Sequence, residues 1–139
     1  MIIALKLCKI EAMFEGKTVI ITGGGKNIGR GIAQEFFHHE ANIVVNDILP
    51  LEKTQITNEM ISSKNFLFSQ GNIALLTYQE KLIKETLKKF SKIDILINNA
   101  GISSGKGFFD MEPEIMKKSI ETNLVAPFFF VSKDCQTNG

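Results

Sequence analysis

The stretch "VIITGGGKNIGRGIA", residues 19–33, decides how this chain folds. It belongs to an apolar, β-branched run that predicts a short buried strand over residues 18–22. Three glycines interrupt the run, and Ile28, Ile32 and Phe36 then recur with the spacing of one helix face. A glycine turn that leads from a strand into a helix is suited to bind an anion, because unpaired N–H groups and the positive end of the helix dipole face it. The alternative interpretation is an ordinary structural turn.

Composition excludes several classes of protein. The chain has 139 residues, of which 44% are hydrophobic and 22% charged, as in one soluble globular domain. A net charge of +1 gives no field that would favour nucleic acid or an anionic membrane, and no apolar run approaches the roughly 20 residues that span a bilayer. Cys8 and Cys135 have no metal-binding or redox spacing. We therefore predict a cytoplasmic protein without a metal site, a nucleic-acid partner or a membrane partner.

The domain is predicted to begin at Met13. This methionine directly precedes "FEGKTVIITGGG", whereas residues 1–12 are only mildly apolar and lack a signal-peptide cleavage pattern. We expect residues 1–12 to be an N-terminal extension and residues 13–139 to form the domain.

The rest of the chain alternates strands with helices. Further strands are predicted at 41–47, 65–70 and 93–101, each a largely continuous apolar run. Helices are predicted after the glycines, over the polar stretch 51–63, over 75–92, and from Glu112 to about Lys133, with Met116, Ile120, Leu124 and Phe128 in register on one face. The order β-α-β-α-β-α-β-α predicts an α/β fold with a parallel sheet covered by helices.

Two further features match the glycine turn. Asp47 ends the second strand, about 20 residues past the turn, where a carboxylate can accept hydrogen bonds from an adenosine ribose and repel a 2′-phosphate. The stretch "NNAG", residues 98–101, has small residues that let the backbone pass close to a ribose. Each feature has a plain structural alternative, a turn or cap residue for Asp47 and an Asx turn for the asparagines.

Together these motifs resemble the short-chain dehydrogenase/reductase family. "TGGGKNIG" (22–29), Asp47, "NNAG" (98–101) and Asn123 in "ETNLVAPFF" (121–129) occur in the family's order and at its spacings, and the resemblance covers residues 14 to about 133. It implies an incomplete Rossmann-type doubly wound parallel sheet of four strands, in the order 3-2-1-4. Asn27 stands where the family has a glycine, which is compatible with the turn if Asn27 is left-handed.

The resemblance also implies roles for individual residues. NAD is the implied cofactor, preferred over NADP because of Asp47. Asn123 matches the family's helix asparagine, which helps to hold a water in its proton relay, and is the one catalytic candidate. The implied cofactor-binding residues are Gly23, Gly25, Lys26, Asn27, Ile28 and Gly29 around the diphosphate, Asp47 and Ile48 at the adenosine ribose, Asn72 and Ile73 at the adenine, and Asn99, Ala100 and Gly101 along the nicotinamide-side ribose.

The family's other catalytic residues have no counterpart here. They are a serine followed by a tyrosine and a lysine four residues apart, after the helix asparagine. The only tyrosine of this chain is Tyr78, which precedes "NNAG" and has Leu82 four residues after it; we expect Tyr78 to be a solvated helix residue. The resemblance therefore implies the cofactor-binding half of an oxidoreductase that is inactive alone and has an uncovered apolar strand at 93–97.

Three interpretations of the function stay open. The chain is the cofactor-binding portion of an oxidoreductase that transfers hydride between NAD(H) and an alcohol or carbonyl, or a non-catalytic NAD-binding module, or one half of a split reductase. A small-molecule substrate is expected only if the domain is completed. The partner, beyond the dinucleotide, would be a second copy of the chain or a complementing chain.

Overall fold

A parallel sheet forms the centre of the computed structural model, which describes residues 13–103, 105 and 107–137. The proposed N-terminal extension, with Cys8, lies outside the described residues. The sheet order is β3-β2-β1-β4, and every pair of neighbouring strands is parallel, so the predicted α/β fold and strand order are confirmed. The strands are β1 (Thr18–Thr22), β2 (Asn42–Asp47), β3 (Phe66–Gln70) and β4 (Ile95–Ile97).

Strand register places the candidate residues at one edge of the sheet. Thr22 at the end of β1 pairs with Asn46, and Asp47 at the end of β2 pairs with Gln70. On the other side of β1, Ile21 pairs with Ile97, the last residue of β4. Because parallel strands end at the same edge, the segments that follow them meet there.

Helices cover both faces of the sheet. One face, with Val19, Ile21 and Val45, packs against the first two helices, whereas the opposite face packs against the third and last helices, which contribute Leu82 and Phe130. None of the described helices has the length and apolarity of a membrane span. The helices are α1 (Asn27–His38), α2 (Asn58–Ile61), α3 (Leu76–Phe90), α4 (Pro113–Ile120) and α5 (Ala126–Thr137), with a π-helical turn at Glu121–Val125 and 3-10 turns at Leu51–Lys53 and Phe108–Asp110.

The predicted helix over residues 51–63 is wrong. The structure has a single 3-10 turn, Leu51–Lys53, and then the short α2, whose N-cap Thr57 accepts a hydrogen bond from the Met60 amide at 3.3 Å. Between them the Gln55 amide donates to the Gly25 carbonyl at 2.8 Å. This bond to the glycine turn takes the place of a helical bond, so the segment serves as a brace for the turn.

The last two predicted elements differ from the structure in detail. The fourth strand ends at Ile97, because the backbone of Asn99 and Ala100 turns to bond the Thr22 hydroxyl. The helix predicted from Glu112 to about Lys133 is divided by the π-helical turn into α4 and α5, and it extends to Thr137.

The apolar stripe of Met116, Ile120, Leu124 and Phe128 is exposed. Each of these four residues, which the sequence predicts to share a helix face, is at least 45% exposed. Among the described residues β4 is also an edge strand, with β1 as its one neighbour. Both the stripe and this strand are apolar surfaces that the described residues leave uncovered.

Asp94 joins β4 to the start of β1. Its Oδ2 accepts from the Thr18 amide at 2.8 Å, and the ammonium groups of Lys17 and Lys92 lie 3.2 and 3.3 Å from the carboxylate. Partial burial by itself raises the pKa of Asp94, but the Thr18 hydrogen bond and the two lysines together outweigh it and hold the pKa below its usual value. The carboxylate therefore stabilises the folded chain in its ionised form.

We predict that Asp94→Asn lowers Tm at pH 7 and that its deficit shrinks as the pH falls below about 4. The sign follows from the lowered folded-state pKa: the stabilisation is complete above the unfolded-state pKa and is lost as the pH falls through the folded-state value. Thermal melts across this range measure it. Glu114→Gln is the control, because Glu114 makes only an exposed ion pair with Lys117. A Tm deficit of Asp94→Asn that is equal at every pH would contradict the prediction.

Candidate functional site

A cleft of about 800 Å³ opens at the carboxyl edge of the sheet. Its volume falls in the range of roughly 300–1,000 Å³ that small-molecule sites occupy. It spans the point between β1 and β4 where the strand order reverses, which is where open α/β sheets bind ligands. The cleft is lined by Gly23, Lys26, Asn27, Ile28, Gly29, Asn46, Asp47, Ile48, Gly71, Asn72, Ile73, Ala74, Leu75, Asn99, Ala100, Gly101, Ile102, Lys118, Glu121 and Thr122.

The glycine turn has the backbone that its sequence requires. Gly23 has φ +62° and Asn27 has φ +49°, so both are left-handed, and the asparagine adopts the conformation that its position in the motif demands. The amide of Gly24 donates to the Asn46 carbonyl at 3.0 Å. Ile28 departs from the apolar face predicted with Ile32 and Phe36: it is 76% exposed and lines the cleft, whereas the other two pack on the core.

The glycine turn lies directly against the end of β4. A Cβ on Gly23 would stand 2.8 Å from the Ala100 Cα. A Cβ on Gly29 would overlap the side-chain nitrogen (Nδ2) of Asn99 and the Gly23 carbonyl oxygen. Neither position has room for a side chain. The first turn of α1, whose N–H groups lack intrahelical partners, is thereby held at the cleft.

Thr22 and Asn99 tie these two segments together. The Thr22 hydroxyl oxygen accepts from the amides of Asn99 at 3.1 Å and Ala100 at 3.0 Å. In return the Asn99 side-chain nitrogen donates to the carbonyls of Thr22 at 3.0 Å and Gly23 at 2.9 Å. Asn99 lines the cleft, but its Nδ2 is committed to the turn.

Asp47 holds the fold and also faces the cleft. Its Oδ2 accepts from the Gly25 amide at 2.9 Å, and its Oδ1 accepts from the Leu49 amide at 3.0 Å. Each carboxylate oxygen has a second lone pair, so the group keeps acceptor capacity for a ligand hydroxyl. Gly25 is the one proposed binding residue of the turn that does not line the cleft, and its amide instead anchors Asp47.

Asn72 and Ile73 form the wall of the cleft after β3. The Asn72 Oδ1 accepts from the Ala74 amide at 3.0 Å, so this residue makes the Asx turn that starts the approach to α3. Its side-chain nitrogen remains a hydrogen-bond donor. Ile73 is buried in the core cluster of α3 and presents part of its surface to the cleft.

Asn123 lies outside the lining of the cleft. It belongs to the π-helical turn, and its side chain pairs with the backbone of Ile102: Oδ1 accepts from the amide and Nδ2 donates to the carbonyl, both at 2.9 Å. The neighbouring Glu121 and Thr122 do line the cleft. The side chain of Asn123 therefore joins the loop after β4 to the helix of the facing wall.

Sequence reasoning missed several lining residues. Lys118, Glu121 and Thr122 could have been found from their i, i+3, i+4 spacing on one helix face. Gly71 and Asn46 had weaker signals, as a glycine after a strand and the neighbour of Asp47. The cleft lining includes two cationic side chains, Lys26 and Lys118, and two anionic side chains, Asp47 and Glu121.

The prediction that Tyr78 is solvated is wrong. Tyr78 is only 9% exposed, and its hydroxyl lies 2.8 Å from both the carbonyl oxygen and the hydroxyl of Ser69. Its ring packs in the cluster of Leu82 and Phe130. A helix position with polar neighbours in sequence gave no signal of this burial.

Sequence and structure comparisons show which known proteins this chain resembles. The family model of the short chain dehydrogenase matches residues 17–136. L-rhamnose-1-dehydrogenase from Scheffersomyces stipitis is 32% identical over 132 residues, which cover 91% of this chain and 51% of that enzyme. A short-chain dehydrogenase/reductase of Brucella melitensis, described as a glucose/ribitol dehydrogenase, superposes with a TM-score of 0.82 at 26% identity and covers 88% of this chain and 52% of its own. The 3-ketoacyl-(acyl-carrier-protein) reductase of the same organism, solved with NADH, has a TM-score of 0.78 at 28% identity, with coverages of 86% and 49%. The chain thus spans about half the length of these relatives.

The contact between the glycine turn and β4 predicts different outcomes for two glycines of α1. Gly29→Ala should destabilise the chain by about 1–3 kcal/mol, because the new Cβ meets the Gly23 carbonyl oxygen and the side-chain nitrogen of Asn99. Gly31→Ala is the matched control: nothing lies within 4 Å of its Cβ position, so it should be neutral or stabilising by up to about 1 kcal/mol. Urea denaturation measures both. Equal stability of the two variants would contradict the prediction, because it would show that the packing around Gly29 accommodates a Cβ without a loss in the free energy of unfolding.

Proposed function

The chain belongs to the short-chain dehydrogenase family, and from that premise we propose that its cleft binds NAD(H), in preference to NADP(H). The family consists of oxidoreductases with an NAD(P)-binding Rossmann fold. The observation that carries the proposal is the close packing of the glycine turn against the segment after β4, which holds the first turn of α1 at the cleft. This is the backbone geometry that binds a diphosphate.

Each end of the cleft then receives one half of the dinucleotide. In this proposal the diphosphate binds at Gly23, Asn27, Ile28 and Gly29, beside Gly25 and Lys26. The adenosine ribose binds at Asp47 and Ile48, and the adenine at Asn72 and Ile73. The nicotinamide-side ribose lies along Asn99, Ala100 and Gly101, and Asn123 holds the loop above it. Bound NAD(H) would supply or accept the hydride for an alcohol or carbonyl substrate.

The preference for NAD rests on Asp47. Its carboxylate is buried and fixed by two backbone amides, so it cannot turn away from a 2′-phosphate. Lys26 is the cation of the turn, but its side chain is partly exposed, so water screens its charge. The buried carboxylate of Asp47 is screened less, and we therefore expect its repulsion of a 2′-phosphate to outweigh the attraction of the lysine.

We also propose that the 139-residue chain transfers no hydride on its own. No tyrosine with a lysine four residues later occurs in the sequence, and the phenol of Tyr78 is bonded to Ser69 and Asn46 beneath the sheet edge. Completion by a second chain is the alternative that the uncovered apolar surfaces favour, namely the edge strand β4 and the exposed stripe of Met116, Ile120, Leu124 and Phe128.

Asp47→Asn tests the cofactor preference. The wild-type chain should bind NAD more tightly than NADP, and the variant should narrow that ratio by about tenfold, because removal of the charge relieves the repulsion of the 2′-phosphate. Calorimetric titration with both nucleotides measures the ratio. Glu52→Gln removes a charge from the neighbouring 3-10 turn, outside the cleft lining, and should leave the ratio unchanged. Equal binding of NAD and NADP by the wild type would refute the assignment of Asp47.

A second experiment tests autonomous activity. The purified chain, mixed with NADH and a panel of aldehydes and ketones, should oxidise no NADH above the rate of a heat-denatured sample. Absorbance at the NADH band follows the reaction. Steady turnover above that rate would overturn the proposal, and turnover that survives in Asn123→Ala would show chemistry that does not depend on the one catalytic candidate.

A further inference from the structure

A chain of buried polar groups lies beneath the wall of the cleft formed by residues 71–73. Asn46, Ser69 and Tyr78 come from β2, β3 and α3 and are all buried. Asn46 and Gly71 line the cleft, whereas Ser69 and Tyr78 do not. The polar chain therefore runs from the surface of the cleft into the interior.

Hydrogen bonds among these buried groups occupy their side-chain donors. The Asn46 side-chain nitrogen donates to the Gly71 carbonyl at 2.9 Å and to the Tyr78 hydroxyl at 3.1 Å, and the Ser69 carbonyl is a more distant acceptor at 3.4 Å. The Tyr78 hydroxyl has one proton and donates it to Ser69, whose own hydroxyl donates to the Glu85 carboxylate at 2.7 Å. Removal of the phenol oxygen would leave one Asn46 N–H with only the longer contact to the Ser69 carbonyl.

The Tyr78 ring also sets the backbone of Gly71. A Cβ on Gly71 would overlap the ring, so the ring occupies the space where a side chain would otherwise be. The Gly71 amide donates to the Asp47 carbonyl at 2.9 Å, and its carbonyl accepts from Asn46. Gly71 is thereby fixed at its amide, its carbonyl and its Cα. Its position in turn fixes where the backbone of the adjoining Asn72 and Ile73 lies.

The phenol is a neutral donor in this environment. Burial raises the pKa of Tyr78, and the hydrogen bonds with Ser69 and Asn46 offset only part of that rise. The ammonium group of Lys81 lies 5.8 Å from the ring centroid and pairs with Glu85 at 3.6 Å, so it does not activate the hydroxyl. Tyr78 has neither the exposure nor the partners of an acid that donates a proton to a substrate.

We propose that Tyr78 is a positioning residue for the adenosine end of the cleft, acting through Asn46 and Gly71 on the wall at residues 71–73. The inference rests on the proposed binding of NAD(H). It makes Tyr78, a buried residue of α3 outside the cleft lining, a determinant of the affinity for the adenosine half.

Tyr78→Phe is the test, with Thr86→Val as its matched control. Thr86 is fully buried on the same helix, and its hydroxyl donates only to the Leu82 carbonyl at 2.8 Å, away from the cleft. Calorimetry with AMP and with nicotinamide mononucleotide separates the two halves of the ligand. We expect Tyr78→Phe to weaken AMP binding by about five- to tenfold, as for loss of one buried hydrogen bond, and to leave the mononucleotide within about twofold. Thr86→Val should leave both ligands within about twofold.

The outcomes separate this inference from the function on which it rests. Absence of NAD and AMP binding by the wild-type chain would overturn the proposed function, and the inference with it. Wild-type binding together with unchanged AMP affinity in folded Tyr78→Phe, or an equal loss for both ligands, would overturn the inference alone. If circular dichroism shows Tyr78→Phe unfolded, Ser69→Ala decides, because it removes a hydroxyl partner of the Tyr78 phenol at a residue outside the cleft lining: an AMP-selective loss supports the positioning role and unchanged AMP affinity refutes it.

Discussion

The contact between the glycine turn and the end of β4 is the constraint on which the rest of the structure depends. Gly23 and Gly29 leave no space for a side chain against Ala100 and Asn99, so two segments about 75 residues apart in the chain share one position at the sheet edge. Parallel pairing of β4 with β1 brings the two segments to that edge, and the hydrogen bonds of Thr22 keep them there. The cleft exists because the strand order reverses at this contact.

Polar residues around the cleft serve the fold and the proposed ligand with different atoms. Asp47 accepts from two amides and keeps further lone pairs, while Asn72 uses its oxygen for an Asx turn and keeps its nitrogen. The structural and functional interpretations of these residues are therefore compatible. A group that is already held by the backbone loses little freedom when a ligand binds, so the same bonds that stabilise the turns also preorganise the cleft.

Local patterns were sufficient to predict the strands and the glycine turn, because buried parallel strands are continuous apolar runs and a glycine turn depends on neighbours in sequence. The strand order and most lining residues were predicted only through the resemblance to the family. Features that depend on distant contacts were not predictable. Residues 51–63 are not one helix because Gln55 bonds Gly25, and Tyr78 is buried because Gly71 lacks a side chain and Asn46 and Ser69 supply partners. No periodicity within α3 records those partners.

Helix α5 has apolar side chains on two sides, one packed on the sheet and the other exposed. Phe130 is 1% exposed and packs on the sheet, whereas Phe128 is 69% exposed and continues the stripe of Met116, Ile120 and Leu124. A helix that is apolar on opposite sides is suited to burial on both. The cleft, by contrast, is lined by residues that follow all four strands, and its turn, its carboxylate and the wall after β3 bond to one another. Under the proposed function, dinucleotide binding and chemistry on a second substrate are therefore separable properties.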